Sequence, residues 1–321
     1  METLQWGLIG CGDIAKKSVV PAIQEAEDSK LVSVTRADSS KAESFAKEFG
    51  IGKWTESWKE LVRDKDINSI YVATPVYLHA EQTIAAAENG KHVLCEKPMA
   101  LNTAECTKMI DACKTNGVKL GIAYYRHLFS PIIRIKEILT SGEIGQVTHL
   151  QANNFEYFNL SPGAPRYWFL QKELSGGGPM MDMGCHRIEI FTNLLGPIKE
   201  TKSFLNNILF QREVEDMATA HFTFKNGATG VLISAHAVKE PKDTLDIYGS
   251  KGSIHVPNLN EGTIHVVTES ETRMEKHPNH SNFHQPLLDD FVSSVLENRG
   301  PAIPRETGLE INRILDKIYG R

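Results

Sequence analysis

The stretch that decides the fold is LQWGLIGCGDIA, residues 4–15. Its first half, Leu4–Ile9, is a short and largely apolar run, which is typical of a strand buried on both faces of a sheet. An amphipathic stretch follows at 13–24, and its spacing of apolar residues predicts a helix. The chain is therefore expected to open with a strand that turns directly into a helix.

Two glycines lie in the turn between this strand and this helix. Gly10 and Gly12, with Ala15 after them, fit the spacing G-x-G-x-x-G/A. Such glycines allow a tight turn, so that backbone N–H groups and the helix N-terminus can meet a pyrophosphate. The predicted dinucleotide-binding residues of this turn are Gly10, Gly12, Asp13 and Ile14. The alternative is a glycine-rich turn without a ligand.

The rest of the first 123 residues continues to alternate short apolar runs with amphipathic stretches. Further strands are predicted at 31–35, 69–73, 91–94 and 118–122. Further helices are predicted at 39–49, 57–63, 77–88 and 103–115. Strands that alternate with helices through short connections form a parallel sheet covered on both faces. Residues 1–123 are therefore expected to form an α/β Rossmann domain with a doubly wound parallel sheet.

The pattern changes after Tyr124, where strand-like segments follow one another. Strands are predicted at 147–158, 199–209, 217–224, 229–235, 244–248, 253–256 and 263–267, and helices at 130–140, 179–195, 284–297 and 307–319. Asn226-Gly227 and Lys251-Gly252 are hairpin-turn signals. We expect residues 124–321 to form an α+β domain with a large, mostly antiparallel sheet. Whether the last helix packs on the first domain is left open.

Composition and charge narrow the class of protein. The chain has 321 residues, of which 41% are hydrophobic and 23% charged, as is usual for globular domains. A net charge of -5 without a basic run argues against a nucleic-acid partner. No stretch approaches ~18 consecutive apolar residues and no secretory signal is visible, so we expect a soluble cytoplasmic protein with no membrane partner. Five cysteines without paired metal spacing fit reduced thiols.

The residues after the second predicted strand bear on the choice of cofactor. NAD-binding sites usually place a carboxylate there for the ribose 2′-hydroxyl. Arg36 stands at that position, and its guanidinium suits the 2′-phosphate of NADP. Asp38, two residues later, is the acid that an NAD site would use, and a solvated loop cation is the other interpretation of Arg36. We expect NADP in preference to NAD.

A lysine follows the fourth predicted strand, in the sequence Glu96-Lys97-Pro98. Ligands of open parallel sheets bind outside the carboxyl ends of the strands. Lys97 and Thr74-Pro75, at the end of the preceding strand, should therefore reach one crevice. A lysine there can hold a substrate oxygen and take part in proton transfer. Taken alone, a lysine at a strand end is more often a surface charge.

A second candidate site lies in the predicted helix at 179–195, which follows a glycine-rich run. Asp182 and His186 are four residues apart and so share one face of that helix. A carboxylate beside an imidazole sets the tautomer and basicity that proton transfer requires. The alternatives are a helix salt bridge, a core histidine or a zinc pair. No third zinc ligand is evident, so we expect no metal.

Together these segments resemble the Gfo/Idh/MocA family of oxidoreductases over essentially the whole chain. The resemblance rests on the turn at 10–15, Thr74-Pro75 with His79, Glu96-Lys97-Pro98, and the glycine-rich run before Asp182 and His186. It implies that the catalytic residues are Lys97, Asp182 and His186. It also implies cofactor contacts from Thr74, Pro75, His79, Glu96 and Lys97.

The resemblance further implies hydride transfer between nicotinamide C4 and a CH–OH carbon of a sugar, cyclitol or related polyol. His186 would accept the hydroxyl proton in oxidation, Asp182 would hold the imidazole or the substrate, and Lys97 would stabilise the oxygen. A cis Lys97-Pro98 bond is expected, and the second domain would bind substrate and form a homodimer or homotetramer. The alternatives are a reductase of a non-sugar substrate, such as a dihydrodiol or a bilin-like tetrapyrrole, and a non-catalytic NADP-binding sensor.

Four further residues are candidates for the lining of the substrate pocket: Tyr125, Arg126, Arg166 and Trp168. An aromatic ring with an arginine suits a polyhydroxylated ring or an acid. The same residues are equally compatible with a structural role.

Overall fold

The computed structural model describes residues 2–321, which form two compact units. The first unit comprises the chain up to Tyr125 together with His280–Asn312. The second comprises Arg126–Asn279 together with Arg313–Arg321. The sequence prediction placed 124–321 in the second domain and left the packing of the last helix open, whereas the structure groups His280–Asn312 with the first unit.

The first unit contains a six-stranded sheet in which every neighbouring pair is parallel. Its strands are β1 (Leu4–Ile9), β2 (Ser29–Thr35), β3 (Lys53–Thr55), β4 (Ser69–Val72), β5 (His92–Cys95) and β6 (Leu120–Ile122). The order is β3-β2-β1-β4-β5-β6, so the direction of winding reverses beside β1, which confirms the doubly wound fold. Only β3 was not predicted, because its three residues are mostly exposed and carry almost no apolar pattern.

Five helices connect these strands, as predicted. They are α1 (Val20–Glu25), α2 (Ser39–Glu48), α3 (Trp58–Arg63), α4 (His79–Glu88) and α5 (Thr103–Thr115). A π-helical turn, Ala15–Val19, precedes α1. The glycine-rich turn therefore leads into a helix whose first part is wider than a regular α-helix.

The second unit contains an eight-stranded sheet. Its strands are β7 (Val147–Tyr157), β8 (Ile198–Asn206), β9 (Met217–Phe224), β10 (Thr229–Ala235), β11 (Ala237–Gly249), β12 (Gly252–Val256), β13 (Thr263–Thr268) and β14 (Thr272–Lys276). The order is β14-β13-β12-β11-β7-β10-β9-β8. Only β7 and β10 pair in parallel, so the predicted large and mostly antiparallel sheet is confirmed. The short, charged β14 was not predicted, since it has no buried apolar alternation.

Three helices lie wholly within the second unit. They are α6 (Ser130–Ser141), α7 (Lys172–Ser175) and α8 (Cys185–Leu195), with a π-helical turn at Met180–Gly184 directly before α8. Phe191 of α8 meets Phe222 of β9 edge to face, with ring centroids 5.9 Å apart. This packing fixes α8, and the turn before it, on the sheet.

Two C-terminal helices complete the fold, α9 (Gln285–Leu296) and α10 (Arg305–Tyr319). α9 belongs to the first unit, where Phe291 packs against Trp6 with ring centroids 5.7 Å apart. The first part of α10 also belongs there, and Asn312 donates a hydrogen bond to the Ala100 carbonyl oxygen at 2.7 Å. From Arg313 onward α10 belongs to the second unit.

All five cysteines are buried and form no disulfide. Within residues 2–321, no helix combines the length and the apolar character needed to cross a membrane.

Candidate active site

The glycine-rich turn after β1 has the backbone geometry of a pyrophosphate-binding turn. Gly10 has a φ of +104°, and a Cβ atom there would lie 2.6 Å from the carbonyl oxygen of Ala73. A Cβ atom at Gly12 would meet nothing within 4 Å, so the turn is open where a ligand would approach. Asp13 and Ile14 follow with exposed side chains. The residues of this turn therefore fit the pyrophosphate of a dinucleotide.

Arg36 and Asp38, the two residues that bear on cofactor choice, have different contacts. The exposed Arg36 donates a hydrogen bond to the Cys11 carbonyl oxygen, in the glycine turn, at 3.1 Å. Asp38 is the N-cap of α2 and accepts hydrogen bonds from the Lys41 N–H at 3.1 Å and from the Ser40 hydroxyl at 2.8 Å. Hydrogen bonds from Lys41 and Ser40 hold the pKa of the Asp38 carboxyl below its usual value. Asp38 thus stabilises the start of a helix.

His79 connects the segments that follow β4 and β5. Its buried ring nitrogens lie 2.9 Å from the Thr74 carbonyl oxygen and 3.0 Å from the Pro98 carbonyl oxygen. Burial lowers the pKa of His79, although both carbonyls oppose that shift. The Thr74 hydroxyl donates to Gln82 at 2.7 Å, and Pro75 beside it is half-buried. The His79 ring therefore fixes the two segments and is not itself exposed.

Glu96 anchors the turn that presents Lys97. Its buried carboxylate accepts a hydrogen bond from the Tyr71 hydroxyl at 2.8 Å and lies 3.3 Å from His284 Nε2. The Lys97 backbone N–H donates to Glu96 at 3.3 Å, and the Lys97-Pro98 bond is cis, as expected. Burial is the largest influence and opposes ionisation of Glu96, but the hydrogen bonds from His284 and Tyr71 and the charges of His284 and Lys97 together outweigh it, so the pKa is lowered. Tyr71 and His284 were not predicted, because neither lies near this motif along the chain.

The start of the candidate catalytic helix is held by Glu215, a buried carboxylate. It accepts hydrogen bonds from the N–H groups of Gly178 at 2.8 Å and Met180 at 3.3 Å, and from the Tyr319 hydroxyl at 2.7 Å. The Tyr319 oxygen in turn accepts from the Met181 N–H at 3.1 Å. Burial raises the pKa of Glu215 despite these donors. The N–H groups that a helix start leaves without intrahelical partners are thereby satisfied.

This arrangement explains the glycine-rich run that precedes the helix. A Cβ atom at Gly178 would lie 2.2 Å from the Glu215 carbonyl oxygen. A Cβ atom at Gly177 would lie 2.3 Å from the ring of Tyr319. Both glycines are therefore required by close packing within the second unit.

Asp182 and His186 lie on successive parts of one helical segment. Asp182 is in the π-helical turn Met180–Gly184, and His186, only 4% exposed, is in the first turn of α8. The sequence predicted one continuous helix; the π-helical turn is a feature often found at functional sites. The Asp182 carboxylate forms a cluster with Glu156 and His236, whose ligand atoms all lie within 4.8 Å of one another. Glu156 and His236 were missed because they come from distant parts of the chain.

Tyr125 and Arg126, two of the predicted pocket residues, contact other protein groups. The Tyr125 ring lies 4.5 Å from the His284 ring, measured between centroids. The Arg126 side chain is 9% exposed and lies 3.1 Å from the Asp243 carboxylate. It also donates to Asn260 at 3.0 Å. These contacts favour a structural role for the Arg126 guanidinium.

Arg166 and Trp168 belong to an aromatic cluster of the second unit. The Arg166 guanidinium lies 4.9 Å from the centre of the Phe169 ring and 5.4 Å from that of Phe158. Trp168 stacks on Phe169 with ring centroids 3.9 Å apart. Arg166 is exposed and has a φ of +71°, which is uncommon for a residue other than glycine. Backbone strain of this kind often accompanies binding sites, so both residues stay candidates for substrate contact.

The parallel sheet and the open glycine turn are those of a dinucleotide-binding Rossmann domain. Residues 4–124 match the oxidoreductase family with an NAD-binding Rossmann fold, and residues 132–255 match the GFO/IDH/MocA C-terminal domain. The chain belongs to the Gfo/Idh/MocA family, as its motifs predicted. It is an NAD(P)-dependent dehydrogenase or reductase that acts on CH–OH groups.

Individual relatives match nearly the whole chain. Oxidoreductase P35 of Formosa agariphila is 30% identical, over 99% of this chain and 98% of that protein. The 1,5-anhydro-D-fructose reductase of Ensifer adhaerens is 29% identical, over 95% of this chain and 92% of that protein. The crystal structure of aldose-aldose oxidoreductase from Caulobacter crescentus, complexed with glycerol, is 27% identical and gives a TM-score of 0.90 over 99% of this chain and 97% of that one.

Proposed function

We propose that the protein transfers a hydride between nicotinamide C4 and a CH–OH carbon of a sugar, cyclitol or related polyol. The observation that carries this proposal is that Gly12 and Lys97 follow β1 and β5, two parallel strands of one sheet. Both residues therefore lie beyond the carboxyl edge of that sheet, where such folds bind their ligands. Relatives named for 1,5-anhydro-D-fructose and for aldoses support the carbohydrate class. The nicotinamide would supply or accept the hydride when bound.

Three side chains carry the remaining chemistry in this proposal. Lys97 holds the substrate oxygen and stabilises the negative charge that develops on it. His186 accepts the hydroxyl proton during oxidation and returns it to the carbonyl oxygen during reduction. Asp182 orients the imidazole of His186 or accepts a hydrogen bond from the substrate.

The preferred cofactor in this proposal is NADP, with NAD as the other candidate. The exposed Arg36 lies beside the glycine turn, where a guanidinium can bind a 2′-phosphate. The carboxylate of Asp38, which an NAD site would use, accepts two hydrogen bonds as the N-cap of α2. The local contacts of these two residues therefore support NADP.

We also propose that the second unit forms a homodimer or homotetramer with copies of this chain. Several large apolar side chains on its strands are exposed, among them Tyr157 at 51%, Phe204 at 67% and Met274 at 58%. Apolar surface of this kind is stabilised by burial against another subunit. Size-exclusion chromatography with light scattering should give the mass of two or four chains, and a monomer at micromolar concentration would contradict the proposal.

Two assays test the proposed activity. The first measures oxidation of NADPH or NADH in the presence of 1,5-anhydro-D-fructose. The second measures reduction of NADP or NAD in the presence of a panel of aldoses and cyclitols. Wild type should turn over at least one of these substrates. Lys97→Met removes the charge but keeps the length of the side chain, and turnover should fall about 100-fold or more because the oxygen loses its electrostatic partner. Its dissociation constant for NADPH should change far less than its turnover, because Lys97 is only one of the proposed cofactor contacts.

Lys65→Met is the matched control, because Lys65 is an exposed lysine of the same unit. It should keep wild-type turnover. A wild type inert toward every substrate of the panel would overturn the proposed function, and an active Lys97→Met would remove Lys97 from the mechanism.

A further inference from the structure

A cluster of three side chains in the second unit adds residues to the surroundings of Asp182. Glu156 comes from β7, and His236 is the residue between β10 and β11. The ligand atoms of Glu156, Asp182 and His236 lie within 4.8 Å of one another. His236 Nε2 lies 3.3 Å from Glu156 Oε1. The His236 side chain is only 1% exposed, whereas that of Glu156 is 41% exposed.

Arg212 determines which nitrogen of His236 carries the hydrogen. The guanidinium is held by three backbone carbonyl oxygens, those of Val214 at 3.3 Å, Phe158 at 2.9 Å and Glu215 at 2.7 Å. Its NH2 group also lies 3.0 Å from His236 Nδ1. A guanidinium has only donors, so Nδ1 must accept and the neutral ring carries its hydrogen on Nε2. The backbone contacts prevent Arg212 from turning away from this partner.

This tautomer determines whether Glu156, Asp182 and His236 can bind a metal ion. A protonated Nε2 has no lone pair for a metal ion, and a metal there would need the fully deprotonated ring. The three side chains therefore do not form a metal site, although their spacing alone would allow one. Nε2 is buried, lies 3.3 Å from Glu156 Oε1 and makes no hydrogen bond of good geometry within residues 2–321.

The exposed side of Glu156 is the part of the cluster that a ligand can reach. Two neighbouring carboxylates repel each other unless a donor stabilises them, and the neutral Nε2–H of His236 is a donor 3.3 Å from Glu156 that adds no charge. Carboxylates accept hydrogen bonds from hydroxyl groups, and charge-assisted bonds of this kind are strong. A compound with several hydroxyl groups can donate to both carboxylates at once.

We propose that Glu156 binds a substrate hydroxyl beside Asp182, and that His236, locked by Arg212, positions the Glu156 carboxylate. The inference rests on the proposed function, because it assigns the polyol class to groups around Asp182. Glu156 is thereby a residue of substrate specificity, whereas His236 acts through Glu156 and does not itself touch the substrate.

The first variant for the test is Glu156→Gln, which keeps the shape of the side chain and removes its charge. With 1,5-anhydro-D-fructose and NADPH, KM should rise about tenfold or more, because a hydrogen bond to a charged acceptor is lost. The change in kcat should be small, since the contact is made equally in the ground and transition states. Glu200→Gln, at an exposed position on the edge strand β8, is the matched control and should leave KM unchanged.

The second pair of variants separates positioning by His236 from simple packing. The amide nitrogen of His236→Gln can replace the Nε2 donor, whereas His236→Asn can keep the acceptor for Arg212 but has no group that reaches Glu156. Both variants lose the contact of the imidazole with the Phe158 ring, whose centroid lies 5.0 Å away, so both should unfold at a lower temperature. The KM should rise about fivefold or more for His236→Asn and stay within about twofold of wild type for His236→Gln.

The outcomes distinguish failure of this inference from failure of the proposed function. If wild type turns over the substrate and Glu156→Gln keeps its KM, Glu156 binds no hydroxyl. If both His236 variants raise KM equally, the role of His236 is packing alone. Activity that disappears with EDTA and returns with Mn²⁺ would overturn the tautomer and with it the inference. A wild type without activity on any polyol would remove the proposed function and this inference together.

Discussion

The glycine turn of the first unit and the glycine-rich run of the second unit differ in what lies beside them. A Cβ atom at Gly12 would meet nothing within 4 Å, whereas one at Gly178 would lie 2.2 Å from the Glu215 carbonyl oxygen. The first segment is open for a ligand, and the second is closed by the protein itself. Similar sequence patterns therefore form an open turn in one unit and a closely packed helix start in the other.

The largest expected effect is a loss of turnover on substitution of His186 in the second unit, without a matching loss of cofactor binding by the first unit. His186→Asn should lower kcat by about 10³-fold, because general acid–base catalysis contributes on the order of 10²–10⁴-fold. Fluorescence titration should give an NADPH dissociation constant within about twofold of wild type, since the nucleotide turn belongs to the other unit. Unchanged kcat would exclude His186 from proton transfer.

The next prediction compares the two glycine segments directly. Gly178→Ala should lower the free energy of unfolding by about 3 kcal/mol, because the new methyl group overlaps the Glu215 backbone. Gly12→Ala should change it by less than about 0.5 kcal/mol, while weakening NADPH binding about tenfold. Urea unfolding and fluorescence titration measure both quantities. Equal losses of stability in the two variants would show that the turn at Gly12 is packed as closely as the run at Gly178.

We expect a smaller loss of unfolding free energy from a change at Tyr319, which packs against the glycine-rich run before α8. Tyr319→Phe removes the hydroxyl that joins Glu215 to the Met181 N–H, so two buried groups lose a partner. The cost should be about 2 kcal/mol of unfolding free energy. The control is Tyr77→Phe, at a position 39% exposed in the first unit, where we expect a change below about 0.5 kcal/mol. A Tyr319→Phe protein as stable as this control would show that Glu215 holds the helix without the tyrosine.

The smallest expected effect is a change in NADPH affinity, from Arg36 beside the glycine turn of the first unit. Arg36→Ala should weaken NADPH binding about tenfold and leave NADH binding nearly unchanged, because only NADPH carries the 2′-phosphate. Calorimetric titration of both cofactors checks the result. Tight NADH binding that is indifferent to Arg36 would assign the cofactor site to NAD and Asp38.

The first unit could be predicted closely from sequence because its determinants are local. The turn at Gly10 and Gly12, the five connecting helices and the lysine after β5 each follow from short patterns with a known structural meaning. Only the exposed, three-residue β3 was missed there.

The surroundings of the second site could not be predicted in the same way. Glu215 and Tyr319 meet the start of the catalytic helix only after the chain has folded, 35 or more residues from it along the sequence. His236 acquires its role through Arg212, a contact that no spacing along one helix or strand reveals. Composition and periodicity describe elements, whereas these contacts depend on how the elements pack.

The fate of a deuterium label on the cofactor tests the proposed hydride transfer most directly. NADPH deuterated at C4 on the transferred face should be incubated with 1,5-anhydro-D-fructose and the enzyme, and the product analysed by mass spectrometry. We expect one deuterium on the reduced carbon, formed at a rate that His186→Asn lowers by about 10³-fold. A reduced product without deuterium from either face of the nicotinamide would contradict direct hydride transfer and the function proposed for this protein.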